Sequence, residues 1–230
     1  MADKESVSKL KLLSSHHEAG TVRTFVFETG GIKWIPGQCQ CYVLPQAGTK
    51  EEDNLRYFTI ASSPSEGEIH ISTRVSQSRF KQALNAMKVG DEILAHGVEG
   101  DFTWEEESTE GVVLVAGGIG ITPYRSILLA RENHGKPLNA KLLYFNRDVD
   151  AAFETVLKAL EAMHPELSVL MLIGEQISAE AILQHAPQAS KQTLYLSGPE
   201  SMVESVGSDL KKRGVNVKQD WFPGYDDKNY

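Results

Sequence analysis

From residue 7 to about residue 104, apolar positions recur with the period of two that an extended chain imposes. The runs are short, among them TVRTFVFET, QCYVLP, YFTIAS and EIHISTRV, and Gly, Pro and Ser residues separate them. Short strands between turns predict a small antiparallel barrel. One segment departs from this pattern: in SRFKQALNAMKVGD the residues Phe80, Leu84 and Met87 recur at helical spacing before Gly90, which predicts a single helix within the barrel. The charged stretch EEESTEG at 105–111 then marks a linker, and the pattern changes. GVVLVAGG is an almost unbroken apolar strand, and ITPYRSILLARENHG reads as a helix with Thr122 as its cap and Pro123 in its first turn. AKLLYFNR, AAFETVLKALEAMH, LSVLMLIG, AEAILQHA, QTLYLSG and SMVESVGSDLKKRG follow in alternation, as in a parallel sheet covered by helices. The expectation is two domains, an antiparallel β-barrel over residues 1–106 and an α/β domain with a five-stranded parallel sheet over 107–230.

Composition narrows the function classes. The chain has 230 residues, 41% hydrophobic and 23% charged, so each half can bury a core without metals or disulfides. A net charge of −8 disfavours a broad nucleic-acid or anionic-membrane surface, which demands clustered Lys and Arg. The only cysteines are Cys39 and Cys41. Because residues of a strand alternate faces, the pair is expected to be poorly placed to bridge, and reduced thiols in the cytoplasm fit best. Two thiols cannot hold an ordinary iron–sulfur cluster, and no zinc site is apparent. The N-terminus lacks the pattern of an export signal and no run of about 18 apolar residues occurs, so the chain is expected to be cytoplasmic and not membrane-spanning.

Four constellations carry candidate chemistry. In Arg56-Tyr57-Phe58-Thr59-Ile60-Ala61-Ser62-Ser63-Pro64 a cation, aromatics and hydroxyls follow one another on an extended segment, with Arg56, Phe58 and Ile60 on one side and Tyr57, Thr59 and Ala61 on the other. Read blandly, it is a strand entering a Ser-Pro turn. Thr73-Arg74 and then Ser78-Arg79-Phe80-Lys81 put basic side chains at a helix start, where backbone N–H groups favour an anion. The loop Gly117-Gly118-Ile119-Gly120-Ile121-Thr122-Pro123 lies between an apolar strand and a helix, where glycines allow close backbone approach to phosphate. Tyr195-Leu196-Ser197-Gly198-Pro199 ends another strand, at the edge where parallel sheets bind ligands.

In order and separation these segments resemble the motifs of the ferredoxin–NADP reductase family, over about residues 7–225. Arg56, Phe58, Thr59 and Ser62 match its flavin signature, Arg-x-aromatic-Ser/Thr-x-x-Ser. The resemblance implies that Arg56 holds the flavin phosphate, that Phe58, where the family usually has Tyr, lies against the isoalloxazine, and that the Thr59 hydroxyl sits near the hydride-accepting nitrogen. Ser78 and Lys81 stand where the family has Gly-x-x-Ser and are assigned with Arg74 to flavin phosphate. Gly97-Val98-Glu99-Gly100-Asp101-Phe102 is similar to the family turn that closes the barrel. Gly117, Gly118, Gly120, Thr122 and Pro123 match the loop that holds the nicotinamide cofactor's pyrophosphate. Ser197, Gly198 and Pro199 resemble a Cys-Gly-Pro segment, with Ser197 in place of the Cys beside the nicotinamide. Asp220 stands for a C-terminal Glu near the flavin, and Tyr225 is expected to cover the ring.

The resemblance thus implies a flavoenzyme that moves a hydride from NADPH or NADH to bound FAD, with FMN the weaker fit, and then single electrons to a ferredoxin or flavodoxin. Thr59, Ser197 and Asp220 are its implied catalytic residues. Arg147, after the strand AKLLYFN, predicts a modest preference for NADPH, while Asp148 beside it suits the ribose hydroxyls of NADH. A free flavin or quinone reductase, the reductase component of a multiprotein oxygenase, and a non-catalytic nucleotide-sensing or electron-transfer subunit remain as alternatives.

Overall fold

The computed structural model describes residues 7–45, 54–105 and 108–221. The first half contains β1 (Ser8–Ala19), β2 (Val22–Glu28), β3 (Cys39–Val43), β4 (Leu55–Thr59), β5 (Glu68–Arg74), helix α1 (Arg79–Ala86) and β6 (Glu92–Glu99). Its strands form one antiparallel sheet in the order β4-β3-β6-β1-β2-β5. The sheet curls like a barrel but does not close. Its edge strands approach just beyond the end of β4, where the Ala61 N–H donates to the His70 carbonyl of β5 at 2.9 Å. Inside lie Phe25, Phe27, Tyr42, Phe58, Ile69 and Ile71, and α1 adds Phe80 and Leu84 from its apolar side.

The second half contains β7 (Val112–Gly117), α2 (Thr122–Asn133), β8 (Ala140–Asn146), α3 (Glu154–Met163), β9 (Leu167–Ile173), α4 (Ala179–His185), β10 (Thr193–Ser197), α5 (Glu200–Lys212) and β11 (Val217–Asp220). The strands form a parallel sheet in the order β11-β10-β7-β8-β9. Val112 and Leu114 face one core while Val113 and Val115 face another, so both sides of β7 are covered. This double burial accounts for the unbroken apolar run.

Three expectations change on detail. The segment Gly97–Glu99, read as part of a turn, belongs to β6, and left-handed backbone begins only at Gly100, φ +102°. Helix α1 ends at Ala86, four residues before Gly90. Cys39 and Cys41 form no disulfide, although the alternation argument does not explain it: two residues apart on one strand, they share a face. Their separation along an extended chain, about 7 Å at about 3.4 Å per residue, is at the limit of disulfide reach.

The two halves share a core. Ala19, Val22 and Ala61 of the antiparallel sheet region pack in the same cluster as Tyr124, Ile127 and Leu128 of α2. Polar bonds fix the junction. Arg125 of α2 donates to both Glu66 carboxylate oxygens at 2.8 and 2.9 Å and to the Ala61 carbonyl at 2.8 Å. Ser126 donates to the Ser62 carbonyl at 2.6 Å, which also accepts from the Trp34 indole at 3.0 Å. Arg131 stacks over Trp104 at 4.0 Å and donates to the Glu105 and Ser108 carbonyls, anchoring the connection between the sheets.

Candidate functional site

At the carboxyl ends of the parallel strands lies a cleft of about 840 Å³. Strand β7 delivers Gly117 and Gly118 to its wall, and a single 3-10 turn, Gly118–Ile121, leads into α2. The glycines differ in purpose. Gly118 has φ +56° and a Cβ there would meet only the Arg74 guanidinium, 3.6 Å away, so this residue opens onto the cleft. A Cβ on Gly120 would stand 2.4 Å from the Ser197 carbonyl oxygen, so Gly120 is required by the packing of the turn on β10. Thr122 does not act as a side-chain cap. Its hydroxyl donates to the Ile119 carbonyl at 3.1 Å, and both it and Pro123 are buried outside the cleft wall, shaping the turn. Pro199 lines the cleft together with Ser201 and Met202, while Gly198 lies behind, packed on the Met202 methyl.

Arg74, at the end of β5, reaches across from the antiparallel sheet. Its guanidinium donates to Asn146 Oδ1 at 3.3 Å and stands 4.0 Å from the Asp148 carboxylate. Sequence reasoning grouped it with the flavin phosphate residues, whereas here it forms part of the cleft wall beside Gly118. It also faces the other cations. Lys81 on α1 is 2% exposed, and its ammonium is pushed down to about 8 by burial and then by the charges of Arg56 and Arg74. Arg56 reaches the Ser78 hydroxyl, at 3.5 Å, at the start of α1. Three positive side chains and a helix start form a donor set suited to a phosphate, and an anion there would relieve the repulsion.

A second cluster forms where β3 and β4 approach β10 and β11. Thr59 is paired with Cys39, and Cys39 in turn with Glu99. Ser197, fully buried, donates its hydroxyl to Asp220 at 3.0 Å. Burial lifts Asp220 to about 6, with a further push from Asp101 and an opposing one from the Ser197 hydrogen bond. Cys39 is pushed up to about 12 by burial and by the carboxylates of Asp220 and Glu99, so its thiol is held protonated. Cys39, paired with Thr59, thus feels the charge of the carboxylate that Ser197 holds. Sequence reasoning missed Cys39, whose only signal was its place two residues from the second thiol.

Two of the assigned residues are engaged within the antiparallel domain. Phe58 is 5% exposed and its ring packs 6.1 Å from that of Tyr42 and 5.8 Å from that of Phe80, inside the barrel core. It stands opposite Gln40 of β3, which is also buried. Tyr57, across from Cys41, is the aromatic on the outer side with Thr59. The Ser62 hydroxyl donates to the Glu68 carbonyl at 2.7 Å and accepts from the His70 N–H at 3.1 Å, which commits it to the turn between β4 and β5. Arg147 is exposed at the rim of the cleft. Tyr225 lies outside the described residues.

No protein-family model matches the chain. It is 28% identical over 83% of its length to a flavohemoprotein of Candida albicans, of which it spans 51%. It is 26% identical over 86% of its length to the reductase component of a propane 2-monooxygenase from Mycolicibacterium goodii, of which it spans 61%. Among solved structures, 95% of the chain superposes on 99% of a ferredoxin–NADP+ reductase from Plasmodium falciparum with a TM-score of 0.76 at 17% identity. In sequence the chain is similar to these flavohemoprotein and reductase-component relatives, and it shares the two-domain fold of the ferredoxin–NADP+ reductase. The chain spans about half to three fifths of the length of the curated relatives named here.

Proposed function

We propose that the chain is a flavin-dependent oxidoreductase that takes a hydride from a reduced nicotinamide dinucleotide and delivers electrons to a redox protein. The observation that carries this reading is the cleft at the carboxyl ends of the parallel strands, walled by Gly117 and Gly118 and reached by Arg74 from the antiparallel sheet. Backbone N–H groups at the glycine turn and the Arg74 guanidinium would hold a pyrophosphate. Arg56, Ser78 and Lys81 would hold the phosphates of FAD, and Tyr57 rather than Phe58 would face its ring. When bound, FAD would accept the hydride and release electrons singly, a conversion that the protein's side chains cannot supply. Asp220, lifted to about 6 and oriented by Ser197, would hold or exchange a proton beside the ring. The acceptor would be a small redox carrier of the ferredoxin or flavodoxin type or the oxygenase of a multiprotein system. A relative named as a reductase component favours a protein acceptor over free quinone.

The test is reconstitution of the full chain with FAD, followed by anaerobic addition of NADH or NADPH while the flavin absorbance is recorded. Retained flavin that bleaches within seconds is the expected result. Failure to retain FAD, or a flavin that only dithionite reduces, would refute the proposal.

A further inference from the structure

The cleft is neutral in sum but unevenly charged. Its cations are Arg74 and Arg147, and its carboxylates are Asp148 and Glu175. Arg74 lies between the glycine turn and Asp148, 3.6 Å from a Cβ position on Gly118 and 4.0 Å from the Asp148 carboxylate. The carboxylates follow the ends of neighbouring strands. Asn146 of β8 is paired with Ile173 of β9, and the Gly174 N–H donates to the Asn146 carbonyl at 2.8 Å. Asp148 and Glu175 each come two residues after that pair, so they sit in register at adjacent strand ends. Glu175 is further held by His185 of α4, whose Nε2 lies 2.9 and 3.2 Å from its two oxygens.

We propose that Asp148 and Glu175 make this cleft select NADH over NADPH. The inference rests on the reading that the cleft takes a nicotinamide dinucleotide. In parallel α/β sheets an acidic side chain after the strand next to the glycine loop accepts hydrogen bonds from the adenosine ribose hydroxyls, and β8 is that neighbouring strand here. A 2′-phosphate would bring a charge of about −1.5 to −2 to this place. It would have to approach Asp148 and Glu175; Arg74, 4.0 Å from Asp148, is also bonded to Asn146, and Arg147 is exposed at the rim. This reverses the modest NADPH preference that Arg147 suggests when it is read alone.

The adenosine half can be probed without turnover. ADP-ribose and 2′-phospho-ADP-ribose would be titrated calorimetrically into the FAD-loaded full chain at pH 8, alongside anaerobic flavin reduction by NADH and by NADPH. ADP-ribose is expected to bind at least tenfold more tightly and NADH to reduce the flavin correspondingly better. The isosteric pair Asp148→Asn with Glu175→Gln should narrow the binding gap to within about threefold, chiefly by gaining affinity for the 2′-phosphorylated ligand. Equal or tighter binding of 2′-phospho-ADP-ribose by the wild-type protein would overturn the proposal while leaving the dinucleotide reading intact. An unchanged gap in the double variant would overturn the roles of the two carboxylates. Binding of neither ligand, with no reduction by either nucleotide, would overturn the dinucleotide reading and the proposal together.

Discussion

Phe58 lies with its ring between those of Tyr42 and Phe80, whereas Tyr57, one residue away, stands on the other face of β4 with Thr59. A truncation at each site should therefore have a different signature. Phe58→Ala leaves a cavity in the barrel core and should cost about 3–5 kcal/mol of stability. Tyr57→Ala should leave the melting temperature within a few degrees of wild type but weaken FAD retention about tenfold and alter its absorption envelope. Denaturant midpoints and the ratio of flavin to protein absorbance separate the two. A Tyr57→Ala protein with wild-type flavin content and spectrum would remove Tyr57 from the site. The alternation that puts Phe58 and Tyr57 on opposite sides was legible in the sequence, but the side that faces inward was not. Both sides of Arg-Tyr-Phe-Thr carry an aromatic, so polarity does not mark the core face. Pairing of Phe58 with Gln40 and of Tyr57 with Cys41 decides it, and that register is a tertiary fact.

At the scale of elements, the strands easiest to read were those buried on one face throughout or on both. β7 is buried along its whole length and reads as a continuous apolar run. β1 could not be read that way, because only Leu10, Leu12 and Ala19 of its 12 residues are buried and Ser and His fill its middle. β6 was concealed by Gly97, which looks like a turn residue and here lies within the strand. The glycine loop was legible as a motif but not as a division of labour, since Gly118 meets the cleft and Gly120 meets the Ser197 backbone. Gly118→Val should abolish reduction by the nicotinamide, by at least about 100-fold, while FAD stays bound, because a branched side chain at positive φ fills the approach to the turn. Gly120→Ala should instead lower the melting temperature, because its methyl would force β10 and the turn apart. A stable Gly120→Ala variant, or a Gly118→Val variant reduced at the wild-type rate, would show that these roles are misassigned.

At the scale of the molecule, the junction between the two sheets carries two groups whose titration weakens the fold in acid. Glu66 lies under the Arg125 guanidinium and near His70, whose Nδ1 is 3.9 Å away, with Glu68 3.4 Å from His70 Nε2. Burial alone would raise the Glu66 carboxyl, but its hydrogen bonds and charge interaction with Arg125, helped by the Ser63 N–H, hold it below the ordinary value of 4.5. Burial lowers the His70 imidazole below 6.5, with Arg125 acting in the same direction and Glu66 and Glu68 opposing. The two signs agree. As pH falls through 6.5 the unfolded chain takes up a proton on His70 before the folded chain does, so stability declines until the folded imidazole is also charged. Below about 4.5 the unfolded carboxyl protonates first, and the stability that Glu66 contributes at neutral pH is lost as its folded value is passed. Thermal melts from pH 7.5 to pH 3.5, followed by tryptophan fluorescence, should show these two losses, set against a gain from Asp220, whose carboxyl, raised to about 6, adds stability as pH falls through that value. Trp34 is a local reporter, since its indole donates to the Ser62 carbonyl that Ser126 also grips. His70→Gln should remove the upper step and Glu66→Gln the lower one, with Glu66→Gln also less stable at pH 7 because Arg125 is left buried beside a neutral amide. If both variants kept the wild-type slope across the whole range, the acid response would have its origin elsewhere in the molecule and the junction would be a pH-insensitive contact.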